Sequence, residues 1–184
     1  MRKIILVIHL SMFFSVAVGQ ISIPQLLNPD TVRQMNYDSA LTSIINQGQV
    51  SILFRTFSAW SPYNKNYKVI SFDDNNKWHY YYQINDPAFK GFFLSSMSED
   101  SVAKIWKTCI KNNLFTTKNE DLSTKKCEDM IYDSHHYEFT IITKEQFKKI
   151  SYYSPEFFEG RCSSTKERKQ VIACATAFKK LIRK

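Results

Sequence analysis

Residues 1–19 have the three-part pattern of a secretory signal peptide, and this pattern decides which part of the chain has to fold. A basic start at Arg2 is followed by an apolar run and by Ala-Val-Gly at positions 17–19, a small-residue cleavage site. The apolar run is interrupted by polar residues and is short for a membrane span, which needs roughly 20 residues. We therefore predict cleavage after Gly19 and a secreted or periplasmic product without a membrane span.

The remaining chain, residues 20–184, has the composition of a folded protein. The full sequence is 43% hydrophobic and 15% aromatic, and it contains only 4 Gly and 5 Pro. Collagen-like and linker-like chains contain far more Gly and Pro, and disordered segments contain far fewer aromatic residues. These values predict a single exported globular domain.

Four cysteines follow the leader: Cys109, Cys127, Cys162 and Cys174. An even number in an exported chain predicts two disulfides, and the sequence permits three pairings. Short loops favour Cys109 with Cys127 and Cys162 with Cys174, and each bond would stabilise the fold by about 3 kcal/mol. Because no CxxC or HxxxH spacing occurs, we predict neither a metal site nor a cofactor.

The chain is basic, with 25 Lys and Arg against 17 Asp and Glu and a net charge of +8. This charge favours an anionic ligand or an acidic partner protein, and it also keeps a domain soluble. The basic residues concentrate only near the C terminus, around an apolar stripe without interleaved aromatic residues. Nucleic acid is therefore not expected as a partner.

Hydrophobic periodicity predicts eight elements. Strands are predicted over residues 50–57, 67–72, 77–84 and 137–143. A further strand that completes a hairpin with the last of these is predicted to run up to Tyr153, and a helical turn over residues 144–150 is the alternative. Helices are predicted from near Pro29 to just before Gly48, with a break near Asn36 as the alternative, from the capping box of Ser96 and Glu99 to about Asn113, and from the capping box of Ser164 and Glu167 to the C terminus. The polar stretch 113–127 is predicted to be an exposed, mobile loop.

This order, α-β-β-β-α-β-β-α, is typical of an α+β domain. A single antiparallel sheet of about five strands would pack its apolar face against the helices. The other face of the sheet is then the surface on which a ligand is expected.

An aromatic strand supplies the candidate binding residues. Alternation places Trp78, Tyr80 and Tyr82 on one face of the sheet and His79 and Tyr81 on the other. On a solvated face such rings can stack on sugar rings or anchor a partner protein. The alternative is that helices and loops cover both faces and that the rings form core.

The candidate catalytic residues are Asp133 and His135. Two residues apart in an extended chain, they point to the same side and could act as an acid and base pair or share a metal ion. The alternative is an ordinary turn that opens a strand. Nucleophile motifs such as GxSxG and HExxH do not occur in the sequence.

These observations lead us to expect an exported, non-catalytic binding domain whose ligand is unknown. A small hydrolase or metal-dependent enzyme centred on Asp133 and His135 is the second hypothesis, and it is less favoured than binding. The third is an inhibitor or immunity-type protein that acts through a loop held on a disulfide-braced scaffold. The enzyme requires another polar side chain to meet His135, whereas the binder requires an exposed patch or pocket.

Overall fold

A computed structural model describes residues 21–31, 39–58, 66–83, 91–120, 134–162 and 164–182. The predicted leader and cleavage site lie outside these ranges. The described strands are β1 (Asp30–Thr31), β2 (Gly48–Ser58), β3 (Lys68–Asp73), β4 (Trp78–Tyr82), β5 (Phe93–Leu94), β6 (His135–Thr143) and β7 (Gln146–Tyr153). They form one antiparallel sheet in the order β1-β7-β6-β2-β3-β4-β5.

The described helices are α1 (Ser39–Asn46), α2 (Glu99–Lys111), α3 (Pro155–Arg161) and α4 (Lys166–Lys179), and a 3-10 turn (Lys180–Ile182) follows α4. The predicted α+β class and antiparallel sheet are confirmed, and the order of the predicted elements is broadly right. The described part adds short strands at both sheet edges and one helix. None of the described helices has the length and apolarity needed to cross a bilayer.

The main core lies between the sheet and helices α2 and α4, and we call this side of the sheet the helical face. In the central strand β2, Ile52 lies opposite Ile70 of β3 and Ile141 of β6. Phe178 of α4 is fully buried, with its ring centroid 5.4 Å from that of Phe54 in β2. Alternate strand positions thus bury apolar side chains against the helices.

A smaller cluster lies on the opposite side of the sheet, which we call the α1 face. Leu41 and Ile44 of α1 pack there against Leu53, Val69 and Ile142. Because central strands are covered on both faces, their sequences are apolar almost without a break.

The first helix begins later than predicted. Asp30 and Thr31 pair with Phe147 and Gln146 of β7 as an edge strand, and α1 starts only at Ser39. Asn28, Pro29 and Asp30 have the pattern of a cap, a first-turn proline and a first-turn acid, but these signals are local, and edge pairing overrides them here.

Helix α3 is not among the helices that the sequence predicts, because a serine followed by proline also suits the end of the strand predicted up to Tyr153. Ser154 has a left-handed backbone, with φ of 42°, and Pro155 occupies the first turn of the helix. Proline suits that position, where its missing N–H would have no helical acceptor.

The stretch predicted as an exposed loop is packed in its first half. Leu114 and Phe115 are buried, and the Lys148 Nζ donates to the Phe115 carbonyl oxygen at 3.1 Å. The Tyr152 hydroxyl donates to the carbonyl oxygen of Lys118 at 2.9 Å. Residues 121–133 lie outside the described ranges.

The structure does not contain the two cysteine pairings that loop length favoured. Cys109 of α2 and Cys174 of α4 are both buried free thiols, so neither predicted pairing is formed. The packing of α2 against α4 brings these two thiols together, and loop length along the sequence does not report on that contact. Cys162 is not among the free thiols, and Cys127 lies outside the described residues.

Candidate functional site

The predicted binding residues Trp78, Tyr80 and Tyr82 point to the helical face. The Trp78 ring centroid lies 5.2 Å from that of Trp106 in α2, and the Tyr82 ring stacks on Phe93 at 5.5 Å. Tyr80 is only 4% exposed. These three rings are therefore part of the core packing rather than of a solvated sheet face.

His79 and Tyr81 point to the α1 face, where they line a cavity of about 510 Å³ that we call the His79 pocket. Its other walls come from α1 (Ile44) and the turn after it (Gln47), from β3 and the turn after it (Ser71, Asp73, Asp74, Asn75) and from β5 (Leu94). The pocket forms because α1 covers the centre of this face and ends before the outer strands. It is concave and combines polar with apolar walls, as ligand sites generally do.

Asp73 holds His79 in place. One oxygen of its carboxylate accepts hydrogen bonds from the backbone amides of Asn75 and Lys77, at 2.9 and 2.8 Å. The other oxygen lies 2.9 Å from the Nε2 of His79. Burial opposes ionisation of Asp73, but the bond with His79 and the two backbone bonds outweigh it and lower the pKa of the carboxyl. An ionised Asp73 therefore orients the imidazole at neutral pH.

The lining of the His79 pocket is acidic, whereas the chain as a whole is basic. Asp73 and Asp74 line the pocket, and no Lys or Arg is among its described lining residues. Asp74 pairs with Lys144 at 2.8 Å, but both side chains are more than half exposed, so the pair screens the carboxylate only weakly. Leu94 at the wall is 62% exposed and is the only large hydrophobic residue in the described part with that degree of exposure.

Ser71 stands beside this Asp-His pair, as the register partner of His79. It is almost fully buried, and its hydroxyl oxygen accepts a hydrogen bond from the Ser51 hydroxyl at 2.9 Å. A serine nucleophile would instead donate its proton to the imidazole. The hydrogen bond described for Ser71 is with Ser51, so this arrangement does not have the contact that acyl transfer requires.

The predicted catalytic residue His135 lies at the start of β6, in a second polar cluster. Its Nε2 is 3.1 Å from the Tyr137 hydroxyl and 3.6 Å from a Glu156 carboxylate oxygen. The Tyr137 hydroxyl donates to Glu156 and accepts from Lys179. Asp133, the predicted partner of His135, lies outside the described residues.

Each polar group of this second cluster has a partner within it. Burial, and then the bond to Glu156, raise the pKa of the Tyr137 phenol well above its usual range, so the phenol stays protonated. The side chains of His135, Glu156 and Lys179 are all more than 40% exposed, so solvent screens their charges. The cluster joins β6 to the beginning of α3 and the end of α4, which is a sufficient structural role.

Sequence reasoning identified His79 and Tyr81 as the opposite face of β4, but it did not identify Asp73 as the partner of His79. The signal was present, because an aspartate that opens a short hairpin turn lies across from the first residues of the next strand. No sequence pattern indicated Leu94 as a lining residue. It belongs to the two-residue strand β5, which is positioned by the pairing of Leu94 with Tyr81 of β4.

The sequence matches no protein-family model and no curated protein. The function is therefore inferred from the residues themselves. Within the described ranges, no group of three or more His, Cys, Asp and Glu side chains is placed to hold a metal ion.

Proposed function

We propose that the protein is an exported, non-catalytic binding domain whose ligand occupies the His79 pocket. The observation that carries the proposal is the Asp73–His79 pair, held at 2.9 Å in a concave pocket on the face that α2 and α4 leave uncovered. The three-part pattern of residues 1–19 supports export.

The lining of the pocket favours a ligand with a cationic head and an apolar stem. Asp73 and Asp74 attract a cation, the faces of aromatic rings such as Tyr81 stabilise one, and Leu94 and Ile44 offer apolar contact. The net charge of the chain favoured an anionic ligand, but the local field of a pocket governs what binds inside it. An arginine side chain of a partner protein has the favoured chemistry.

The test is an NMR titration of the 15N-labelled protein with acetyl-arginine amide. We expect the amide signals of His79, Tyr81 and Leu94 to shift, and acetyl-citrulline amide, which is neutral, to shift them far less. Asp74→Asn should weaken binding about fivefold, the effect of one partly screened charge contact of about 1 kcal/mol. Asp100→Asn, the same change at an exposed position on α2, is the matched control and should leave binding unchanged.

Two results would contradict this proposal. If the pocket signals do not move with acetyl-arginine amide, the pocket does not bind the proposed cationic group. If acetyl-glutamate amide moves them more than the arginine compound does, the ligand is anionic and the inferred selectivity is reversed.

Acid–base catalysis at His135 is a second candidate, because His135, Tyr137, Glu156 and Lys179 meet there from three elements. The full-length protein should then hydrolyse p-nitrophenyl acetate faster than its His135→Ala variant. His79→Ala is the matched control, since any exposed imidazole gives a background rate. Equal rates for the wild type and both variants would exclude this candidate.

A further inference from the structure

Two thiols meet in the core where α2 packs against α4. Cys109 and Cys174 are both 0% exposed, and both are free. A hydrogen bond joins their side chains, so the sulfur atoms are immediate neighbours. Both belong to the main cluster of the helical face, together with Val102 and Val171.

The neighbourhood of the two thiols distinguishes between the three pairings that the sequence permits. Cys109 and Cys174 belong to different helices, and their side chains are hydrogen-bonded to each other within one buried cluster. Cys162, at the end of α3, is not among the free thiols of the described part. The sequence has four cysteines, so a bond between Cys109 and Cys174 leaves Cys127 and Cys162 for each other.

We propose that Cys109 and Cys174 form a disulfide that joins α2 to α4 in the exported protein. The inference rests on the proposed export, because an oxidising compartment is where such bonds persist. In the reaction the two thiols lose two protons and two electrons and form one S–S bond. The disulfide of oxidised glutathione, or of a thiol oxidoreductase, accepts the two protons and two electrons and is thereby reduced to two thiols.

The burial of the pair dictates when the bond forms. Exchange requires a thiolate that an oxidant can reach, and neither sulfur is reachable once α2 and α4 have packed. The hydrogen bond with Cys174, and then burial, also raise the pKa of the Cys109 thiol. The bond therefore forms during folding, and a chain that folds in the reduced state should afterwards resist oxidation at this pair.

The experiment is a proteolytic map without reduction of the protein recovered after expression with its own leader. We expect one linked peptide pair containing Cys109 and Cys174 and another containing Cys127 and Cys162. Thiol titration in denaturant should find no free thiol in the wild type and one in Cys109→Ser. The Cys109→Ser/Cys174→Ser double variant controls for misfolding and should retain the second linked pair.

Linked peptides joining Cys109 to Cys127, or Cys162 to Cys174, would overturn the inference, and so would free thiols at Cys109 and Cys174 in exported protein. Retention of the chain in the cytosol would instead contradict the proposed export. In that case the full chain is refolded in a mixture of reduced and oxidised glutathione. The same proteolytic map then tests the pairing of the cysteines independently of export. Binding of acetyl-arginine amide is measured in a separate experiment, so failure of the proposed disulfide can be distinguished from failure of the proposed ligand binding.

Discussion

Lys68, at the start of β3, is expected to lower the stability of the fold at neutral pH. Its Nζ donates to the Phe178 carbonyl oxygen at 3.5 Å and lies 5.8 Å from the centre of the Phe54 ring. Burial, and then repulsion from Lys179, lower the pKa of Lys68 from 10.5 to about 8. The folded protein therefore stabilises the charged form of this side chain less well than water does.

The magnitude follows from the change in pKa. A pKa lowered from 10.5 to about 8 corresponds to about 3 kcal/mol for a fully buried group, and partial solvation of this ammonium reduces the cost to about 1 to 2 kcal/mol. Below about pH 8 the lysine is charged in both states and the whole cost is present. Between about pH 8 and 10.5 the unfolded chain binds more protons, so the free energy of unfolding rises with pH until the cost has gone.

The perturbation is Lys68→Met, measured by urea unfolding at about pH 7 and about pH 10.5. We expect the variant to be about 1 to 2 kcal/mol more stable than the wild type at the lower pH and to lose this advantage at the higher pH. Lys104→Met, at an exposed position of α2, is the control and should show no comparable dependence on pH. A difference that is the same at both pH values, or a loss of stability near pH 7, would refute the reasoning.

Three further changes test other contacts. Arg168→Met should cost about 3 to 5 kcal/mol in urea unfolding, because Arg168 and Glu120 form a buried ion pair whose side chains are 4% and 6% exposed. The double change with Glu120→Gln should cost less than the two single losses together, and simple additivity would argue against the pairing. Gly48→Ala should cost about 1 to 3 kcal/mol, because its Cβ would lie 2.6 Å from the Ser71 Oγ. The cost should shrink in a Ser71→Ala background, and an unchanged cost would locate the strain elsewhere. Phe178→Ala should cost about 3 to 5 kcal/mol by leaving a cavity in the core, and a loss below about 1 kcal/mol would contradict the packing described.

The part of the fold that sequence predicted well is the part where one periodicity dominates. Tyr137, Phe139 and Ile141 alternate along β6, and all three belong to the core of the helical face. The third helix was missed because a Ser-Pro step suits both the end of a strand and the start of a helix. Only the left-handed backbone of Ser154 decides between them.

The candidate site was less predictable, since it depends on which face the helices cover. Alternation separated His79 and Tyr81 from Trp78, Tyr80 and Tyr82, but periodicity alone does not say which set meets α2. That choice follows from packing between elements distant in the sequence, as does the contact between the two buried thiols. Local patterns report on elements, and such contacts depend on topology.

The position of β2 at the centre of the sheet has a consequence for how the chain reaches this state. One neighbour of β2 is β3, the next strand of the sequence, but the other is β6, which is synthesised much later. Until β6 arrives, the backbone N–H and C=O groups along one edge of β2 have no strand to pair with. Such non-local pairing slows folding and exposes intermediates to aggregation. A chaperone that holds the unfinished N-terminal half is therefore expected to raise the yield of folded protein.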